Sequence, residues 1–192
     1  MPSLQSDFNE LLERINSGRE FGHASFEPIY YLIFPPSQIL KVKRQMPAWT
    51  SRLKNEGWDV HLFSITEAVL DILGSTPLRK IWIKADSQEP TNWEKTNPSL
   101  ANALTKGALQ KRLEDRLAEL EGRPRAILLV TDLEALHPYM RIGSIESQLQ
   151  SKFSVPTVFL YPGERTGKTM LKFLGFYPED GNYRSVHIGG YM

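Results

Sequence analysis

The residues closest to a chemical signature are Gly163-Glu-Arg-Thr-Gly167-Lys168-Thr169. A phosphate-binding loop needs Gly, four residues, then Gly-Lys-Ser/Thr, so that successive backbone amides and the Lys ammonium surround a phosphate. Here three residues separate Gly163 from Gly167, and the place four back from Gly167 is Pro162. Proline has a fixed φ and no N–H to offer. The partner acid for a Mg²⁺ ion would be Asp132, at the end of the apolar run Ile127-Leu-Leu-Val-Thr. It precedes the loop, whereas in most such enzymes it follows. Gly167, Lys168, Thr169 and Asp132 therefore define an alternative, nucleotide-binding reading. A weak anion site at a helix start after Gly167 is its reduced form.

Other chemistries have less support. The chain has no cysteine, which excludes disulfides, thiolate zinc sites and cysteine nucleophiles. Its four histidines, His23, His61, His137 and His187, show no metal-ligand spacing. Gly143-Ser144 lacks the Gly-x-Ser-x-Gly elbow of a hydrolase, and no carboxylate pair stands out for acid–base work. No metal, cofactor or enzymatic activity is expected. The net charge of +1 argues against a strongly basic nucleic-acid surface, although a DNA-binding subunit using scattered Lys and Arg stays as a second alternative. The N-terminus has no secretory pattern, and the longest apolar run, Ile29 to Phe34, is too short to span a bilayer.

Two segments carry residue types favoured in protein interfaces, namely His137-Pro-Tyr139-Met-Arg141 and Asn182-Tyr183-Arg184. For the first, a docking turn and a plain turn whose Arg141 pairs with a nearby acid such as Asp132 fit equally well. Trp93 is a third docking candidate, with an ordinary aromatic folded under its loop as the other reading.

The elements that must position these residues read as alternating strands and helices. Leu4, Phe8, Leu11, Leu12 and Ile15 form a helical stripe. Ile29 to Phe34 is a strand buried on both faces. A helix from Ser37 follows, with Pro47 expected to kink or divide it. Trp58 to Phe63, Ala126 to Val130 and Pro156 to Tyr161 are further strands, and Tyr183 to Ile188 a fifth. Ser64 or Thr66 caps a helix through Gly74. Lys80-Ile-Trp-Ile-Lys84 alternates like a short strand. Residues 86–98 read as a long loop, mobile or partner-binding. Ser99 to Glu121 reads as the longest helix, Ile142 to Phe153 as another, and a short helix follows Gly167. The predicted fold is a single α/β domain over residues 1–192. It is a three-layer sandwich around a mostly parallel sheet of about five strands, resembling a P-loop NTPase-like fold without a working nucleotide site. Ligands of such sheets bind beyond the strand carboxyl ends, here Pro35-Pro36, Ser64, Asp132 and Tyr161-Pro162-Gly163.

Four segments together resemble the BrxB family of BREX bacteriophage-exclusion systems. They are His137-Pro-Tyr-Met-Arg141, Ser144-Ile-Glu-Ser-Gln-Leu-Gln150, the strand ending Tyr161-Pro162-Gly163, and Gly181-Asn-Tyr-Arg184. The family tends to show a His-Pro-aromatic-x-Arg turn, a helix with a Leu-Gln pair, a strand ending in Tyr-Pro-Gly, and a closing Asn-Tyr-Tyr-Arg. This chain has one tyrosine in the last motif, and Gly167-Lys168-Thr169 lies outside the shared pattern. The resemblance implies a cytoplasmic, non-enzymatic adaptor in a phage-defence complex. Its implied partners are a PglZ-type alkaline-phosphatase-like protein, the large BREX ATPase and the methyltransferase. The resemblance brings no catalytic residues with it. The docking residues expected are His137, Tyr139, Arg141, Tyr161, Gly163, Tyr183, Arg184 and Trp93.

Overall fold

A computed structural model describes residues 3–17, 27–167, 169–181 and 185–190. Strand β1 (Ile29–Phe34) is buried at every position, as an apolar run without polar alternation requires. It lies between β4 (Thr157–Thr166) and β6 (Val186–Gly189), parallel to both. The sheet continues from β4 through β3 (Ala126–Thr131) to β2 (Asp59–Ser64), giving the order β2-β3-β4-β1-β6. All of these pairings are parallel, and β5 (Met170–Phe173) pairs antiparallel with the far half of β4.

Alternate strand residues feed two cores. Tyr30, Leu32, Ile127, Leu129 and Val158 pack under α1 (Leu4–Ser17) and α2 (Ile39–Asn55). Tyr31, Ile33, Leu128, Val130 and Phe159 pack under α3 (Ile65–Ser75), α5 (Asn97–Thr105), α6 (Ala108–Leu120) and α7 (Ile142–Gln148). The protein is therefore an α/β sandwich with helices on both faces of a mostly parallel sheet. Ser64 caps α3 as expected, its Oγ accepting from the Glu67 amide at 3.2 Å.

Several local expectations are corrected. Lys80 to Lys84 is not a strand but part of α4 (Arg79–Gln88). Trp82 alone is buried there, while Ile81 and Ile83 are exposed, so the alternation reflects one anchor flanked by two solvent-facing residues. Residues 86–98 are not one long loop, because 86–88 end α4, Trp93–Lys95 forms a 3-10 turn and α5 begins at Asn97. Thr96 Oγ1 donates to Asp86 at 3.0 Å, and Asn92 and Lys95 both bond Glu89. The helix expected over 99–121 is broken at Gly107, whose φ of +90° suits glycine and ends a helical run. Pro47 sits inside α2 without dividing it.

The largest correction concerns residues 163–173. β4 does not stop at Tyr161 but runs on to Thr166 and folds back into β5. Gly167, at φ +77°, and Thr169 belong to a hairpin turn, so no helix starts there to present amides to an anion. Lys168 lies outside the described residues, as do His23, Asn182, Tyr183 and Arg184.

Candidate docking site and the strand-end rim

The His137–Arg141 turn follows β3 and packs against the turn after β5. His137 Nδ1 is hydrogen-bonded to the Tyr177 hydroxyl at 2.6 Å. The His137 ring also meets Phe176 edge-on at 5.4 Å, and the His137–Pro138 peptide is cis. Arg141 donates from Nη1 to the Pro178 carbonyl at 3.2 Å and stands 5.8 Å from the Tyr177 ring centroid. Arg141 therefore pairs with Pro178 and Tyr177 and not with Asp132. Burial raises the Tyr177 pKa, and the Arg141 charge pulls the other way. Phe176 remains 63% exposed beside these polar groups.

An aromatic chain ties this surface to the sheet. Tyr177 contacts Phe173 at 5.5 Å, Phe173 contacts Tyr161 at 5.5 Å, and Tyr161 meets Tyr31 edge-on at 5.6 Å. Tyr161 is buried and so positions the surface without being part of it. Gly163 acts through close approach. A Cβ there would stand 2.5 Å from the Lys172 carbonyl and 2.5 Å from the Tyr161 ring, so the β4–β5 crossing needs glycine.

Tyr139 points the other way along the same turn. Its hydroxyl donates weakly to Asn97 Oδ1 at 3.4 Å, and its pKa is raised by burial and by the Asp86 charge. Asn97 opens α5, four residues after the exposed Trp93. The structure thus brings His137, Arg141, Tyr161 and Gly163 into one assembly, with Tyr139 leading toward the Trp93 segment.

Sequence reasoning missed the partners Phe176 and Tyr177, and it missed Glu146. This acid is buried in α7, where it accepts from the Tyr31 hydroxyl at 2.5 Å. The signal was present, because Ile142, Ile145, Glu146 and Leu149 share one helical stripe.

Asp132 lies on the expected rim of strand ends, but in a different setting. It adopts φ +62°, and its Oδ2 accepts from Ser64 Oγ at 2.7 Å and Thr131 Oγ1 at 2.9 Å. Lys43 of α2 reaches Asp132 Oδ1 and Glu134 Oε1, each at 2.8 Å. Burial alone would raise the Asp132 pKa, but bonds from Lys43, Ser64 and Thr131 outweigh it and hold the carboxyl below its ordinary value. For Lys43, burial is outweighed by the two carboxylates, and its pKa is raised. The cluster borders a cavity of about 210 Å³ lined mainly by Phe34, Ile39, Val42, Met46, Leu62 and Leu160. Lys43 and Asp132 thus lock α2 to the end of β3.

Among the described residues no group of three or more His, Asp or Glu could hold a metal, and no helix is long and apolar enough to cross a membrane. No curated protein and no solved structure matches the chain. The family model described as BREX protein BrxB matches residues 61–188, which include the His137–Arg141 turn, the Glu146 helix and the β4–β5 hairpin. The chain belongs to the BrxB family, and is a component of a BREX phage-defence system.

Proposed function

We propose that this protein is a non-enzymatic adaptor of the BREX complex, docking through the face formed by the His137–Arg141 and Phe176–Pro178 turns. The partners of this reading are the PglZ-type alkaline-phosphatase-like protein and the large ATPase, with the methyltransferase as a further candidate. One observation carries it. Phe176 is 63% exposed while its neighbours His137, Tyr177 and Arg141 are fixed by one another. An exposed aromatic on a rigid, hydrogen-bonded base, with an arginine beside it, is the arrangement that concentrates binding energy in protein interfaces. Holding the side chains in place beforehand lowers the ordering cost of association.

The test is co-purification of the tagged chain with each BREX protein, before and after Phe176→Ser. Capture that is lost on substitution, with the melting temperature kept, supports the reading. Equal capture by both forms removes the proposed face.

A further inference from the structure

Among the described residues, the eight exposed large hydrophobic ones are unevenly placed. Leu70, Leu78, Ile81, Ile83 and Trp93 fall within one stretch of the chain, on α3, α4 and the turn before α5. At the centre is α4, which is held by a single buried residue, Trp82, whose indole Nε1 donates to Ser99 Oγ at 2.9 Å. A helix of this length is marginal in water unless an apolar face is covered. Isoleucine is also a poor choice for an exposed helix position, since branching at Cβ restricts its rotamers there.

The helical angle orders the outer face. With about 100° per residue, Ile81 and Ile83 lie about 100° to either side of Trp82. Lys80 and Lys84 lie about 160° from Trp82 on the two sides of the outer ridge. All four are exposed. The acids nearby are turned to local work, Asp86 accepting from Thr96 and Glu89 from Asn92 and Lys95. The face is therefore a central row of cations flanked by isoleucines.

That order selects the kind of partner. A helix lying on a bilayer puts its apolar residues at the centre of the buried face and its lysines at the borders. Here the arrangement is inverted. A nucleic acid would engage the cations but would leave both isoleucines without an apolar counterpart. A protein ridge with a central acidic row and apolar shoulders complements all four side chains. We infer that the outer face of α4 is a second docking surface, for an acidic, apolar-flanked helix or ridge of another protein. The inference rests on the adaptor reading but uses a different surface from the Phe176 face.

The experiment captures the other BREX proteins with the wild-type chain, with Lys80→Glu/Lys84→Glu, with Ile81→Ser/Ile83→Ser and with Phe176→Ser, at low and high salt. Phosphatidylserine vesicles and a DNA duplex are run in parallel. All substituted positions are exposed, and unchanged melting temperatures verify the fold. Both α4 variants should capture one of these proteins at least tenfold less well, and high salt should weaken wild-type capture of that same protein. Loss in the α4 variants with capture retained by Phe176→Ser supports this surface and removes the Phe176 face. Loss in Phe176→Ser with both α4 variants unaffected overturns this inference and leaves the proposed function standing. Wild-type capture of none of the proteins, or Lys80- and Lys84-dependent binding to vesicles or duplex instead, also overturns it.

Discussion

The Tyr31 hydroxyl donates to the Glu146 carboxylate at 2.5 Å inside the core, joining the central strand to α7. Tyr31 also stacks on Phe159 at 5.0 Å and meets Tyr161 and His187 edge-on. One side chain thus connects β1, β4, β6 and the helix that follows the His137–Arg141 turn. A buried bond to an acidic group costs more to lose than an exposed one, because the acceptor forfeits a donor where water cannot replace it. Tyr31→Phe should destabilise the protein by about 1–3 kcal/mol, read as a lower urea midpoint with an unchanged slope. The substitution keeps the ring contacts, so a loss in that range reports the bond and not the packing.

The β4–β5 crossing gives a second prediction. Gly163→Ala forces a methyl group against the Lys172 carbonyl and the Tyr161 ring. Overpacking of this kind costs about 1–3 kcal/mol. Because the hairpin carries Phe173 and leads to Phe176 and Tyr177, partner capture should fall along with stability. A melting curve and a capture assay on the same preparation check both.

The rim cluster predicts a smaller effect. Lys43→Met leaves Asp132 and Glu134 facing each other without their shared cation. Lys43 is nearly half exposed, so solvent already screens much of the interaction, and the cost should be about 0.5–1 kcal/mol. Chemical denaturation resolves a change of that size.

Acid should destabilise the fold through two groups. Burial, with the Arg165 charge adding to it, lowers the His187 pKa from 6.5 to about 4. The unfolded chain then binds a proton that the folded chain refuses, so stability falls as pH drops from about 6.5 towards about 4. Asp132 has a lowered pKa, and its contribution is present above the unfolded value and disappears as pH falls through the folded one. Melting temperature against pH should decline from near neutrality. His187→Gln should flatten the upper part of that decline and leave the lower part.

Much of this architecture was legible in the residues, for physical reasons. β1, β3 and the first half of β4 are apolar runs that a parallel sheet buries on both faces, while β2 is a partly exposed edge strand, and the strand ends match the residue pattern within a residue or two, apart from the far end of β4. The α4 helix (Arg79–Gln88) was not legible, because a short amphipathic helix with one buried residue has the same local pattern as an alternating strand. The β4–β5 hairpin was hidden by Gly167 and its neighbours, whose types suit either a turn between strands or a strand-to-helix loop. Only tertiary pairing with Phe173 decides between them. The docking turn was legible at His137 and Arg141. Its partners Phe176 and Tyr177 were not, since nothing local announces a contact made across forty residues.

The most direct measurement is the dissociation constant of the purified chain for each purified BREX protein, by calorimetry or sedimentation. The adaptor account predicts micromolar or tighter binding to the PglZ-type protein or the ATPase. It predicts at least a tenfold loss on Phe176→Ser, or on Arg141→Ala, with the fold intact. No binding to either protein at tens of micromolar, or binding that neither substitution weakens, would contradict it.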